Sequence, residues 1–113
     1  MDSQTLGSAV EMMILDVAAR GPTYGYELAR TVAERSEGYF ELKEGSLYPA
    51  LHRLERRKLL KAHWRDADGR RRKYYEITQA GRAELASRKS TWLKFAGAVN
   101  GVLGTRRTGL SGA

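Results

Sequence analysis

The chain has no cysteine. That excludes disulfides, thiolate zinc sites and a cysteine nucleophile, and it points to a reducing compartment. Histidine is almost as scarce. His52 and His63 have no thiol to accompany them, so a metal site would have to recruit carboxylates from elsewhere, and no metal is expected. No stretch approaches the roughly 18 consecutive apolar residues of a membrane-spanning helix. The N-terminal segment includes Asp2, Glu11 and Asp16 and lacks a basic region ahead of an apolar one, so it does not read as a secretory leader. The expected location is cytoplasmic. No Ser-His-Asp order, phosphate-cradling glycine loop or paired-carboxylate site is present, so neither an enzyme nor a bound cofactor is expected.

What is abundant is positive charge, and it is localised. The formal net charge of the 113 residues is +7. Residues 53–74 hold ten of the 20 Lys and Arg but only three of the 13 acidic residues (Glu55, Asp66 and Asp68), so the rest of the chain balances at ten of each. A localised surplus suits a phosphate-binding surface, because each neutralised phosphate releases condensed counterions. Charge alone is equally compatible with a solvated basic face that binds nothing.

The length allows one domain with a modest core. Leu6, Val10, Met13, Ile14, Val17 and Ala18 recur at helical spacing and predict a first helix from Leu6 to Arg20, stopped by Gly21-Pro22. Thr23 is expected to cap a second helix, with Leu28, Ala29, Val32 and Ala33 on its apolar face and Gly38 at its end. A short extended piece, Tyr39 to Leu42, should follow. A third helix is expected from Glu44-Gly45, with Leu47, Leu51 and Leu54 buried and Pro49 near the first turn, where its missing N–H costs least. Its other side presents Ser46, Pro49 and Arg53, with Tyr48 and His52 flanking. Leu60 to Arg65 and Arg71 to Ile77 alternate as two strands of a hairpin around Asp66-Ala67-Asp68-Gly69. Thr78 should cap a last helix running to about Leu103. Leu85, Trp92 and Val99 repeat at seven, as do Ala96 and Leu103, with Phe95 and Val102 beside them. That stripe is longer than a small domain can cover by itself and suggests association between helices of two copies.

Three helices, a basic hairpin and a long helix give a mainly α fold with a small β-hairpin. The order is that of a winged helix-turn-helix domain (6–77) followed by a C-terminal dimerisation helix (78–103) and a disordered tail (104–113). A helix is narrow enough for a major groove, where base edges can be distinguished, and a basic wing can grip the neighbouring phosphates. Gly21-Pro22-Thr23-Tyr24-Gly25-Tyr26-Glu27-Leu28 resembles the start of the second helix in the PadR family of transcriptional regulators. Glu44-Gly45-Ser46-Leu47-Tyr48-Pro49-Ala50-Leu51, with Arg53-Leu54-Glu55, resembles that family's recognition helix, and Arg70 to Gly81 its wing strand and last-helix start. The single final helix resembles the short subfamily.

The resemblance implies a homodimer on a pseudo-palindromic double-stranded DNA operator, usually as a repressor. It places Tyr24, Ser46 and Tyr48 at the DNA and the basic wing residues Arg70, Arg71, Arg72 and Lys73 on the backbone. Lys43, Pro49 and Arg53 join them from facing and charge. Leu85, Trp92, Phe95, Ala96, Val99 and Leu103 are the expected dimer interface. Some short members are similar in carrying a Trp on this helix that sandwiches flat aromatic molecules, so Trp92, with Met12 or Met13, is a candidate site for a small aromatic effector; a filled dimer core is the simpler reading. Trp64 is expected to pack, and of Tyr74 and Tyr75 one should be core and the other exposed. The family usually has Gly where this chain has Lys58, a place where a positive φ would be mildly strained. The alternative function is a protein-interaction module that keeps the fold without binding DNA.

Overall fold

The computed structural model describes residues 3–105. Its elements are α1 (Ser3–Ala19), β1 (Thr23–Tyr24), α2 (Gly25–Arg35), α3 (Glu44–Arg56), β2 (Leu60–Ala67), β3 (Arg70–Ile77) and α4 (Gln79–Leu103). The strands form one antiparallel sheet in the order β1-β3-β2. α1 is the hub, packing on α2, α3, α4 and β3. Its Ile14, Leu15 and Ala18 meet Leu28 and Val32 of α2, Leu47, Ala50, Leu51 and Leu54 of α3, and Leu60, Tyr75, Ile77 and Leu85 in one buried cluster. Each fully buried leucine contributes roughly 1.5–3 kcal/mol relative to exposure.

β1 is a departure from the expected cap at Thr23. Thr23 pairs with Tyr75 and Tyr24 with Tyr74, so Thr23 is the first residue of a third strand. Its hydroxyl donates to Glu27 Oε1 at 2.9 Å, and the N-cap of α2 is Tyr24, which makes no side-chain capping bond. The segment Tyr39–Leu42 is irregular rather than extended in a sheet. Pro49 is the sixth residue of α3, which starts at Glu44 as expected, and so lies in the second turn rather than the first. Its missing N–H leaves the Gly45 carbonyl without the usual intrahelical donor.

Both α2 and α3 end in a left-handed residue that is not glycine. After α3, the Lys58 N–H donates to Glu55 O at 2.9 Å and the Leu59 N–H to Leu54 O at 2.9 Å, the paired bonds of a Schellman cap. Lys58 holds φ 63, so the left-handed position is occupied by a side chain that disfavours it. α2 closes in the same way, with Glu37 at φ 53 ahead of Gly38.

The β2–β3 hairpin turns on two residues, Asp68 (φ 53) and Gly69 (φ 74), with Ala67 opposite Arg70. Two positive φ values make this the turn type whose twist matches paired strands, and Asp-Gly is a favoured sequence for it. Thr78 caps α4 as expected: the Gly81 N–H donates to its Oγ1 at 2.9 Å, and that hydroxyl donates to Lys58 O at 2.7 Å. Gly81 is buried against the Leu59 carbonyl and Ile77, where any Cβ would collide. The start of α4 is thus seated directly on the turn that follows α3. At the far end Gly104 (φ 74) closes the helix. Of the tail expected at 104–113, only Gly104 and Thr105 are among the described residues.

Candidate nucleic-acid interface

α3 buries Leu47, Ala50, Leu51 and Leu54, and this decides what its other side presents. Gly45, Pro49, His52 and Arg56 recur at helical spacing opposite the buried stripe, and all four are exposed. Ser46, also exposed, lies on one flank together with Arg53, and Tyr48 lies on the other. Lys43 is exposed at the N-cap. His52 and Arg56 were not among the expected site residues. The spacing from Pro49 would have found them, since the face opposite a leucine stripe is fixed once the stripe is known.

The flanks of α3 are held by ion pairs on both sides. Arg53 Nε donates to Glu11 Oε2 of α1 at 2.9 Å. Glu55 meets Lys73 Nζ of β3 at 3.4 Å. Arg53 and Lys73, both expected to face DNA, therefore each have a carboxylate partner within the fold. Lys73 also lies over the ring of Tyr75, whose phenol is pushed above its usual pKa by burial, against the opposing pull of the lysine.

The wing has two chemically distinct faces. Trp64, Arg71 and Lys73 lie on the side of the sheet that continues from the core residues Leu60, Tyr75 and Ile77. Arg71 sits 5.6 Å over the indole of Trp64. Trp64 was expected to pack but is 56% exposed, because it lies beyond the edge of the core on the outer part of the hairpin. The opposite side carries Tyr24, His63, Arg65, Arg70, Arg72 and Tyr74. Here Arg72 covers the Tyr24 ring at 4.4 Å and Arg65 covers Tyr74 at 4.2 Å, while Tyr24 meets Tyr74 edge-on at 5.3 Å. The two tyrosines face opposite sides of the sheet, with Tyr75 in the core as alternation predicts, but these cations and rings cover Tyr74, so the second tyrosine is buried rather than exposed. Arg72 also lies 3.7 Å from Asp68, and Arg70 and Arg71 are exposed.

Between the hairpin and α3 is an open cleft of about 780 Å³, lined by Tyr24, Tyr26, Tyr48, His52, Trp64, Arg70, Arg72 and Lys73 among others. The Tyr48 hydroxyl lies directly over Gly25, and any side chain at that position would displace it. The cleft joins the exposed face of α3 to the cations of the wing. Planar rings and guanidinium groups here can meet sugars, phosphates and base edges together.

The expected dimer residues divide. Leu85 is buried in the core of its own chain, because it lies close to the Thr78 cap and the first turns of α4 pack on α1. It is therefore unavailable to a partner. Trp92, Phe95, Val99 and Leu103 are exposed, with Ala96 half-buried between them. Trp92 and Phe95 pack at 5.9 Å. Leu93 and Val102, also exposed, widen the stripe. Met12 and Met13 are half-buried against the core. Among the described residues, no helix is long and apolar enough to cross a membrane.

A helix pair that presents α3, with a basic hairpin beside it, is the architecture of winged helix-turn-helix DNA-binding proteins. Residues 14–87 match the Transcriptional regulator PadR-like family, and the chain belongs to it. It is 42% identical over 78 residues to the transcriptional regulator Rv3488 of Mycobacterium tuberculosis, covering 69% of this chain and 70% of that protein. A PadR-like transcriptional regulator of Bacillus cereus has a similar crystal structure (TM-score 0.77, 33% identity, 89% of this chain and 97% of the other). A PadR family transcription regulator of Clostridium difficile is similar as well (TM-score 0.74, 34% identity, 83% and 97%). The family is one of transcriptional regulators, not enzymes.

Proposed function

We propose that this chain is a homodimeric repressor that binds a pseudo-palindromic operator through α3 and the wing, with α4 as the dimer contact. The observation that carries the reading is the pairing of two surfaces on one rigid scaffold. One is the exposed Ser46-Tyr48-Pro49-His52-Arg56 face with its basic cleft. The other is the solvent-facing Trp92-Phe95-Val99-Leu103 stripe. An apolar stripe of this length on a soluble helix favours burial against a like helix, and two-fold pairing makes the preferred DNA site an inverted repeat. Arg70 and Arg71 supply sequence-independent grip, while the outermost residues of α3 supply discrimination.

The test is selection of duplexes from a random-sequence library by the purified protein. The expected product is an inverted repeat with half-sites about one helical turn apart. Affinity for it should fall steeply with salt, and Arg70→Ala with Arg71→Ala should lower the salt slope by about two. Enrichment of no sequence at all would sink the proposal and favour an interaction module.

A further inference from the structure

One carboxylate joins the recognition helix to the C-terminal helix. Glu11, on α1, has a side chain only 13% exposed. Its Oε2 accepts from Arg53 of α3 at 2.9 Å, and its Oε1 accepts from Arg88 of α4 at 3.0 Å. Arg88 is 17% exposed and donates also to Glu84 at 2.7 Å. The four charges balance, and the partners of Glu11 lie 42 and 77 residues away in sequence. Burial alone would raise the Glu11 pKa, but the bonds from Arg53 and Arg88 hold it below the usual carboxylate range. The group is therefore ionised at neutral pH, and each oxygen serves a different helix. Arg88 is also one helical turn before Trp92, where the exposed apolar stripe begins.

We propose that Glu11 is a positioning residue for DNA recognition: it fixes α3 through Arg53 in a pose set by α4 through Arg88. The inference rests on the operator-binding reading above. Both guanidiniums bind one small group, so a shift of α4 against α1 changes how tightly Arg53 is held. A rotation of α3 by a fraction of a turn would misplace the base-facing residues while leaving phosphate grip by the wing intact. Loss of the link should therefore lower discrimination rather than overall DNA affinity.

The experiment compares wild type with Glu11→Gln, Arg88→Met and the double variant, using the library-enriched duplex and a random duplex of equal length. Circular dichroism and sedimentation first establish that each variant is folded and has the oligomeric state of the wild type. Arg88→Met is the informative variant, since Arg88 lies on α4 rather than on α3 or the wing. The expected result is about a tenfold loss of affinity for the enriched duplex in each single variant, with no further loss in the double variant. Random-duplex affinity should stay within about twofold, because the wing phosphates are untouched. Variants that melt earlier yet keep the specific-to-random ratio would overturn the proposal, since a merely structural link changes stability and not discrimination. Should Glu11→Gln fail to fold, unchanged discrimination in Arg88→Met alone would still overturn it. A wild type that enriches no sequence would overturn the operator reading and this one with it; a wild type that does, beside variants of equal discrimination, overturns this one only.

Discussion

At the scale of single residues, Lys58 is where local preference and fold disagree most plainly. Its φ of 63 completes the Schellman cap of α3, and its carbonyl accepts from the Thr78 hydroxyl that caps α4. The turn cannot relax without disturbing both helices. A residue with a Cβ costs about 1 kcal/mol or more in this conformation, and glycine avoids that cost. The lysine side chain is exposed and makes no hydrogen bond or ion pair among the described residues. Lys58→Gly should therefore stabilise the fold by up to about 1 kcal/mol once the extra backbone freedom glycine brings to the unfolded chain is subtracted. Urea unfolding should show a higher midpoint at an unchanged slope. A lower midpoint would show that the lysine side chain or charge contributes more than the strain removes.

At the scale of elements, α3 shows how ion pairs sort cations that sequence alone treats alike. Arg53 and Arg56 are three residues apart in the same basic segment, but Arg53 is held by Glu11 while Arg56 lies on the outermost line of the helix. An outward arginine reaching a base edge is worth about 1–3 kcal/mol of specific binding. Arg56→Ala should therefore weaken binding to the enriched duplex by that amount with little change in melting temperature. Arg53→Ala should lower the melting temperature as well, because it strips a half of the clamp on Glu11. Equal effects of the two substitutions on both measurements would show that the clamp does not distinguish them. The helices, the hairpin and the basic wing were legible in the sequence because each rests on a periodic pattern or a turn signal within a few residues. β1 was not, since a two-residue strand has no period and exists only because β3 lies beside it. Burial of Tyr74 likewise depends on Arg65 and Tyr24 meeting over it, and the loss of Leu85 to the core depends on how α4 seats against α1. The pairing of Arg53 and Lys73 with distant carboxylates left no local trace, because Glu11 and Glu55 come from other elements.

At the scale of the whole molecule, α1 and α4 are joined by ion pairs as well as by packing, and the ion pairs have a pH dependence. Asp16 accepts from Arg20 and from Lys89 of α4, each at 2.9 Å, while Glu11 accepts from Arg88. Burial pushes both carboxyls up, but their cationic partners win and hold both below the ordinary range. A carboxylate with a lowered folded pKa binds fewer protons when folded than when unfolded. Its stabilisation is therefore complete above the unfolded values, about 4 for Asp and Glu. It is lost as pH falls through that range toward the lowered folded values. The double variant Glu11→Gln with Asp16→Asn lacks this term at every pH. Its stability gap to wild type, measured by urea unfolding, should be widest near neutral pH and should narrow steadily under acid, down to about pH 3. Both proteins also lose stability in acid from the growing excess of positive charge, and since their other titrating groups are the same, most of that loss is removed in the difference. A gap that stays constant across the range would mean that the two carboxylates act through shape and hydrogen bonding alone. A gap that narrows would show that the ionised forms of Glu11 and Asp16, held by Arg53, Arg88, Arg20 and Lys89, supply stability that acid removes.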